Sequence, residues 1–447
     1  MQKVILLLFI FISSLIAQEE LTVTGDLLKG GKIGKESVQE WVDNVVMTQG
    51  EVKITCNRAI RFLARNEVEL IGNVVAVQDT ITILTEHIRY FGDTKYAYSD
   101  KAIILNDGHT ILSAKSGFYY FNEKRARFKD EVDLFDGLNK LSSNLLIYYN
   151  DINKSIATGD VRISDSLSSI KSDSLINFKE DQLTYAYGNV KITNPENNIV
   201  ITGEYLEDLG KTNYTKITGN PLLTQIDTSS TGELDTLLIS SMILESEKDS
   251  LHKLIASDSV KIIRGQFSSV NDKTIYIKEE ERIFIARKND ETKQPVLWYD
   301  NSQLLGDTIN IFIKNNNLNY IDIVQNAFLL SYNSSNKNRF DQIMGDSLKI
   351  FFKENNLNRT EVDGSVLSIY YNYDKNEPGG LIKSSSGKAK IYFEDNFVTD
   401  VKLYKSPKTE YHPEKLVTGK ELEFTLPAFQ IHKNKPPKEE LLNKPKK

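Results

Sequence analysis

Apolar and polar residues alternate with period two in short runs along the chain, as in Gly159-Asp160-Val161-Arg162-Ile163 and Gly188-Asn189-Val190-Lys191-Ile192. A second run follows each of these 10 to 15 residues on, rich in β-branched and aromatic residues, as at 113–121, 142–149 and 172–178. Asn, Asp, Gly and Ser close the runs, so they read as β-strands joined by turns. The pattern predicts an all-β chain with very little helix. Successive residues of a strand point to opposite faces, so the alternation also predicts one continuous apolar face. From the first strand of each unit it takes Val132 and Leu134, Val161 and Ile163, Val190 and Ile192, with Val74 in the equivalent place. From the second it takes Ile60 and Phe62, Ile88 and Tyr90, Phe118 and Tyr120, Leu145 and Ile147.

The strand pairs recur. A small or acidic residue, a polar residue and then Val or a substitute end at Val45, Val74, Ala102, Val132, Val161, Val190, Pro221 and Val260, spaced 28 to 31 residues apart before a last step of 39. Such a period means that each unit cannot bury its apolar face alone and stacks on its neighbours. Beyond Val260 the clearest duplication sets residues 306–319 (GDTINIFIKNNNLN) against 345–358 (GDSLKIFFKENNLN), with a weaker third copy from Gly387. Polar stretches at 246–250 and 287–295 predict longer loops or a loose boundary, which divides the chain into 18–250 and 251–430. Six of the ten prolines lie from Pro407 onward and the last fifteen residues hold six lysines, so 431–447 is expected to be a solvated, disordered tail.

The chain opens on Met-Gln-Lys, then an apolar run from Val4 to Ile16 and Ala17. That run is too short for a bilayer, which needs about 20 residues, and reads as a secretory signal over 1–17. Cys56 is the only cysteine, so no internal disulfide can form and stability must come from packing. In Ile54-Thr55-Cys56 it is expected to serve as a small buried apolar residue. A net charge of −6 over 447 residues gives no reason to expect nucleic acid. The five histidines, His87, His109, His252, His412 and His432, have no metal-like spacing. Acidic pairs such as Asp130-Glu131 read as turn residues. No catalysis, metal or cofactor is expected. On the residues alone, the apolar stripe fits either a closed core or an open surface that holds a ligand.

The repeated Gly-Asn-Val or Gly-Asp-Val strands from Gly72, Gly159 and Gly188 resemble the OstA-like family. So do the Asp-x-Leu and Tyr-Tyr strands that follow several of them, and Thr55-Cys56-Asn57-Arg58-Ala59. The best-known members of that family are LptA-type periplasmic lipopolysaccharide transport proteins and the periplasmic part of the outer-membrane lipopolysaccharide translocon. The first 250 residues carry the likeness, and the duplicated remainder looks like the longer OstA-like proteins. The resemblance implies an elongated antiparallel sheet folded over into a V-shaped jelly roll. Its apolar interior (Ile60, Phe62, Val74, Ile88, Tyr90, Phe118, Tyr120, Val132, Leu145, Ile147, Val161, Ile163, Val190 and Ile192) would hold lipid A acyl chains at a row of equivalent sites. It also implies a periplasmic carrier, associated with the outer membrane through partners, which contributes to outer-membrane assembly. Partners would be lipopolysaccharide or a lipid A-like glycolipid, and similar stacked-sheet transport proteins joined by edge strands. The strand near 43–48 is the expected docking edge. The reading from a different class is a structural or adhesive cell-surface β-solenoid with a closed core.

Overall fold

The computed structural model describes residues 21–228, 234–247, 251–287, 289, 293–314, 317–332, 336, 338–353, 356–374, 377–394 and 397–442. The expected signal segment, 1–17, lies outside them. The described chain is almost wholly antiparallel strand, with two four- or five-residue α-helices near its C-terminal end. It divides into two compact units at Ile152/Asn153.

In both units the long strands bend at one kind of corner. Two consecutive residues adopt left-handed backbone angles at Asp43-Asn44, Gly72-Asn73, Asp130-Glu131, Gly159-Asp160, Gly188-Asn189, Gly219-Asn220, Asp258-Ser259, Gln325-Asn326, Gly364-Ser365 and Lys405-Ser406. Such angles disfavour most side chains and suit Gly, Asn and Asp, which is why the repeat signature opens with those residue types. Where the register is resolved on both sides, the pair opposes a single residue of the neighbouring strand, forming a β-bulge. That single residue is often acidic or an amide: Asn57, Asn144, Asp173, Glu204, Asp272 and Asp346. The residue after each bulge, where it is Val or Ala, is at most 2 % exposed, from Val45 to Val366. The 29-residue signature is thus a corner followed by a core residue. Ala102 departs from it, since there the chain leaves one strand, Tyr96–Ser99, and enters another, Ile103–Asn106.

In the first unit, each strand from Glu36–Gln49 to Ile81–Phe91 pairs with the next across both sides of the corner. We call the side holding Val45 the upper arm and the side holding Trp41 the lower arm. One lateral row of the upper arm runs Met47, Ile54, Ala76, Ile83, Leu105, Leu112, Leu134 and Leu141. Its counterpart on the lower arm includes Trp41, Ala59, Leu70 and Ile88, then Gly117, Phe128 and Leu146. All of these are buried except Leu134, which is half-buried. The Tyr90 hydroxyl on the lower arm donates to Gln49 on the upper arm, and Phe121 packs edge-on to both Tyr90 and Tyr119. The interior of this unit is a filled core.

The second unit repeats the corner plan and adds a C-terminal strap. Its core joins upper-arm residues Leu223, Ile239, Ile262, Leu297 and Leu304 to lower-arm residues Leu244, Ala256, Ile285, Ile309 and Ile323. The duplicated segments supply equivalent members, Ile309 and Ile311 from one and Leu348 and Ile350 from the other. From α-helix Glu414–Val417 onward the chain lies on the outer side of the upper arm, where Val417 and Leu426 join Trp298, Phe328, Leu330 and Tyr371. Two buried glutamines grip the strap backbone. Gln342 donates to Phe424 O at 3.3 Å and accepts from Leu426 N at 2.9 Å. Gln303 donates to Gln430 O at 2.7 Å and accepts from His432 N at 2.8 Å. Arg339, 2 % exposed, pairs with Glu414 and Glu421. The described part of the expected tail, 431–442, therefore departs from the expectation: Ile431 packs on one cluster and Leu441 is buried against Leu238 and Ile263. Apolar residues at long intervals in a lysine-rich stretch suffice to anchor it.

Candidate functional site

The fourteen residues expected on one apolar face fall on two. Val74, Ile88, Tyr90 and Val132 are buried in the first interior, and Val161 and Val190 in the second, where Ile163 and Ile192 are half-buried. Phe118, Tyr120, Leu145 and Ile147 are corrected to the outer face, because their neighbours Gly117, Tyr119, Phe121 and Leu146 are the buried ones. Ile60 and Phe62 also lie outside, in line with Glu69 and Glu67. They are nonetheless covered, by Val38 and Ile71 and by the Arg65 guanidinium 4.4 Å above the Phe62 ring. Runs such as SGFYYF and NLLIYY are apolar on both faces, so alternation alone cannot set their phase. The residue opposite each bulge sets it. Two positions after Asn57, Glu86, Asn144, Asp173, Glu204 and Asp346 come Ala59, Ile88, Leu146, Leu175, Leu206 and Leu348, all buried inward. The Asp-x-Leu signal in the sequence marks this register.

Burial varies along the interior. At the start of the second unit the lower-arm row Ala157, Leu175, Ala186 and Leu206 is 0 % exposed. The upper-arm row beside it, Ile163, Ile170, Ile192 and Ile201, is only half-buried. Nearer the lower arm's free margin, the same inner face carries a polar row, Ser155, Asn177, Thr184, Asp208, Thr215 and Ser246. Asn177 Nδ2 donates to Thr184 Oγ1 at 2.9 Å and the Thr215 hydroxyl donates to Asp208 Oδ1 at 2.6 Å. Together these rows form a trough with an apolar floor, a partly open isoleucine wall and a hydrogen-bonding lip. Ile170, Ile201 and the lip were not legible as site residues. Ile201 follows Val200 in an apolar run, and single Asn and Thr residues look like ordinary turn or strand polarity.

The interior of the first unit offers less room. Its mouth row carries Tyr90, Tyr119 and Tyr148 where the second unit carries the polar lip. Burial pushes the Tyr119 and Tyr148 hydroxyls up to about 12. Cys56 sits in the same core as a small apolar residue, its thiol pushed up to about 11 by burial. Among the described residues no His, Cys, Asp and Glu group could hold a metal, and no helix is long and apolar enough to cross a membrane, which says nothing of strands.

Residues 22–173 match the family model of the OstA-like protein. This part of the chain is similar to OstA-like proteins. It spans the corners at Asn44, Asn73, Glu131 and Asp160, so the OstA-like signature coincides with the bulge-and-valine repeat. No curated protein matches the chain. Among solved structures it is similar to LptH of Pseudomonas aeruginosa, described as the LptA-homologous periplasmic component of the conserved lipopolysaccharide transport device. The two are 17 % identical, the TM-score is 0.17, and the match covers 32 % of this chain and 84 % of LptH.

Proposed function

We propose that this OstA-like chain is a periplasmic, non-catalytic carrier of lipopolysaccharide or a related glycolipid, holding its acyl chains in the folded sheet and contributing to outer-membrane assembly. The observation that supports it most directly is the trough, where the Ile163, Ile170, Ile192 and Ile201 wall keeps part of its apolar surface open above a buried floor. Each acyl methylene that leaves water there contributes about 0.8 kcal/mol, so a few chains give ample affinity. The lip suits a hydroxylated headgroup. A photo-crosslinking residue at Ile192 should capture lipopolysaccharide in cells, while one at Lys191, exposed on the opposite face, should not. Equal capture from both, or none from either, defeats the reading.

Carriage also needs neighbours, and sheet edges are the physical means of joining them. The strand near 43–48 is not such an edge: Val45 sits inside the sheet opposite Cys56, and Glu36–Gln49 is flanked by Thr22–Thr24 and Leu27–Ile33. Among the described residues Leu27–Ile33 pairs only with Glu36–Gln49, and Leu27, Leu28 and Ile33 are exposed. This strand is the edge proposed to accept a similar sheet. The reading as a structural solenoid draws on the filled core of the first unit, where Tyr90 and Gln49 bridge the arms. Lipid capture at Ile192 separates the two.

A further inference from the structure

We infer that the trough is a dead end, which its cargo enters and leaves sideways over the polar lip instead of sliding along the whole chain. The inference rests on the glycolipid-carrying reading and concerns the route. Two lateral rows change character within two strands of each other. On the upper arm the half-buried isoleucines end at Ile201, and its partner Leu223 and the next apolar members of the row, Ile239, Ile262, Leu297 and Leu304, are at most 3 % exposed. On the lower arm the polar row ends at Ser246, and the strand beside it continues with Leu254. Beyond that point the row turns apolar, through Tyr276 and Ile283.

Past the switch, the two arms contact each other through their own side chains. Ile262 and Leu304 share one cluster with Ile285 and Ile309, so the row that lies partly open at Ile201 is covered there by the protein's own side chains. For cargo to advance from Ile201 to Ile262, that core would have to part, and close-packed interiors do not yield gradually. The row of equivalent sites implied by the family resemblance is therefore interrupted. The direction with least resistance is lateral, because the lip is the only wall of the open stretch made of groups that water also solvates.

Hydrogen exchange on the mature full-length chain, with and without purified short-chain lipopolysaccharide, tests this without altering any core residue. Binding should slow amides of Leu183–Asn194 and Ile199–Leu209 by at least about tenfold, while Lys253–Arg264 and Val296–Tyr299 exchange as in the free protein. Slowing that extends equally through the latter strands, or lies outside residues 153–223, overturns the dead end while leaving carriage standing. No slowing anywhere, at concentrations that occlude the lipid's own micelles, defeats both.

Discussion

The hydroxyl of Tyr90 on the lower arm donates to Oε1 of Gln49 on the upper arm, although the two residues are 41 apart in sequence and both are buried. The bond crosses the interior of the first unit and ties its arms at the mouth. A buried amide that loses a donor costs more than the bond contributes net. Tyr90→Phe is therefore expected to lower stability by about 1 to 3 kcal/mol in urea unfolding. Adding Gln49→Leu should recover part of the loss, so a double-mutant cycle should give a coupling of about 1 kcal/mol. Strict additivity would show that the bridge contributes nothing.

Gly188 opens a corner at φ +73°, and a Cβ there would lie 2.3 Å from Asp173 Oδ2. At Gly364 the same atom would lie 2.0 Å from Asp346 Oδ2. Left-handed angles cost an L-residue roughly 1 to 2 kcal/mol, and the clash adds to that. Gly188→Ala should lower the unfolding midpoint clearly, whereas Asp160→Gly, at a corner position with φ 47°, should shift stability by less than about 1 kcal/mol. Thermal melts of the two variants check the corner model, and matching losses would speak against it.

Leu146 is fully buried and Ile147 faces outward, the reverse of what apolar alternation in NLLIYY suggests. Leu146→Asp should abolish soluble folding, because an unpaired carboxylate in the core is costly to desolvate; Ile147→Asp should leave soluble yield and circular dichroism near wild type. The comparison also shows what the chain discloses by itself. The all-β class, the period and the inward place of Val74, Val132, Val161 and Val190 were legible, because Gly-Asn-Val and its variants encode a corner. The face of Leu145, Ile147, Phe118 and Tyr120 was not, because each bulge resets the alternation by one residue. The division at Ile152 and the anchoring of Leu441 were also hidden, since both depend on packing between segments distant in sequence.

Asp341 has its carboxyl pushed up to about 6 by burial, partly offset by the hydrogen bond from Tyr371 N at 2.9 Å. In the unfolded chain it ionises near its ordinary value of 3.8. Between those two values the unfolded state has released the proton and the folded state retains it, so stability falls as pH rises from about 4 to about 6 and is level above. Part of the residue remains exposed, so the effect should be about 1 to 2 kcal/mol, less than full desolvation would give. Asp341→Asn should be more stable than wild type at pH 7 and lose this slope. A variant that unfolds at the same urea concentration as wild type at both pH 4 and pH 7 would refute the assignment.

The strap offers the last test, because its attachment depends on backbone recognition by two side chains. Gln342 uses both ends of its amide on Phe424 O and Leu426 N, as a neighbouring strand would, and Leu426 itself is 3 % exposed. Gln342→Ala removes both bonds and leaves a buried peptide N–H and C=O without those partners, a cost of about 1 to 3 kcal/mol each when nothing replaces them. The loss is local, since residues 414–442 cover the outer side of an upper arm whose inner side remains packed through Leu297, Leu304 and Ile343. Limited proteolysis should therefore cut the variant early between Thr418 and Pro436 while the sheet core resists. Wild type should resist at both places. Leu426→Asp should give the same pattern by a different route, removing apolar burial and leaving the Gln342 side chain intact. If both variants instead lose the sheet and the strap together, the strap is an inseparable part of the core and not a separately docked segment.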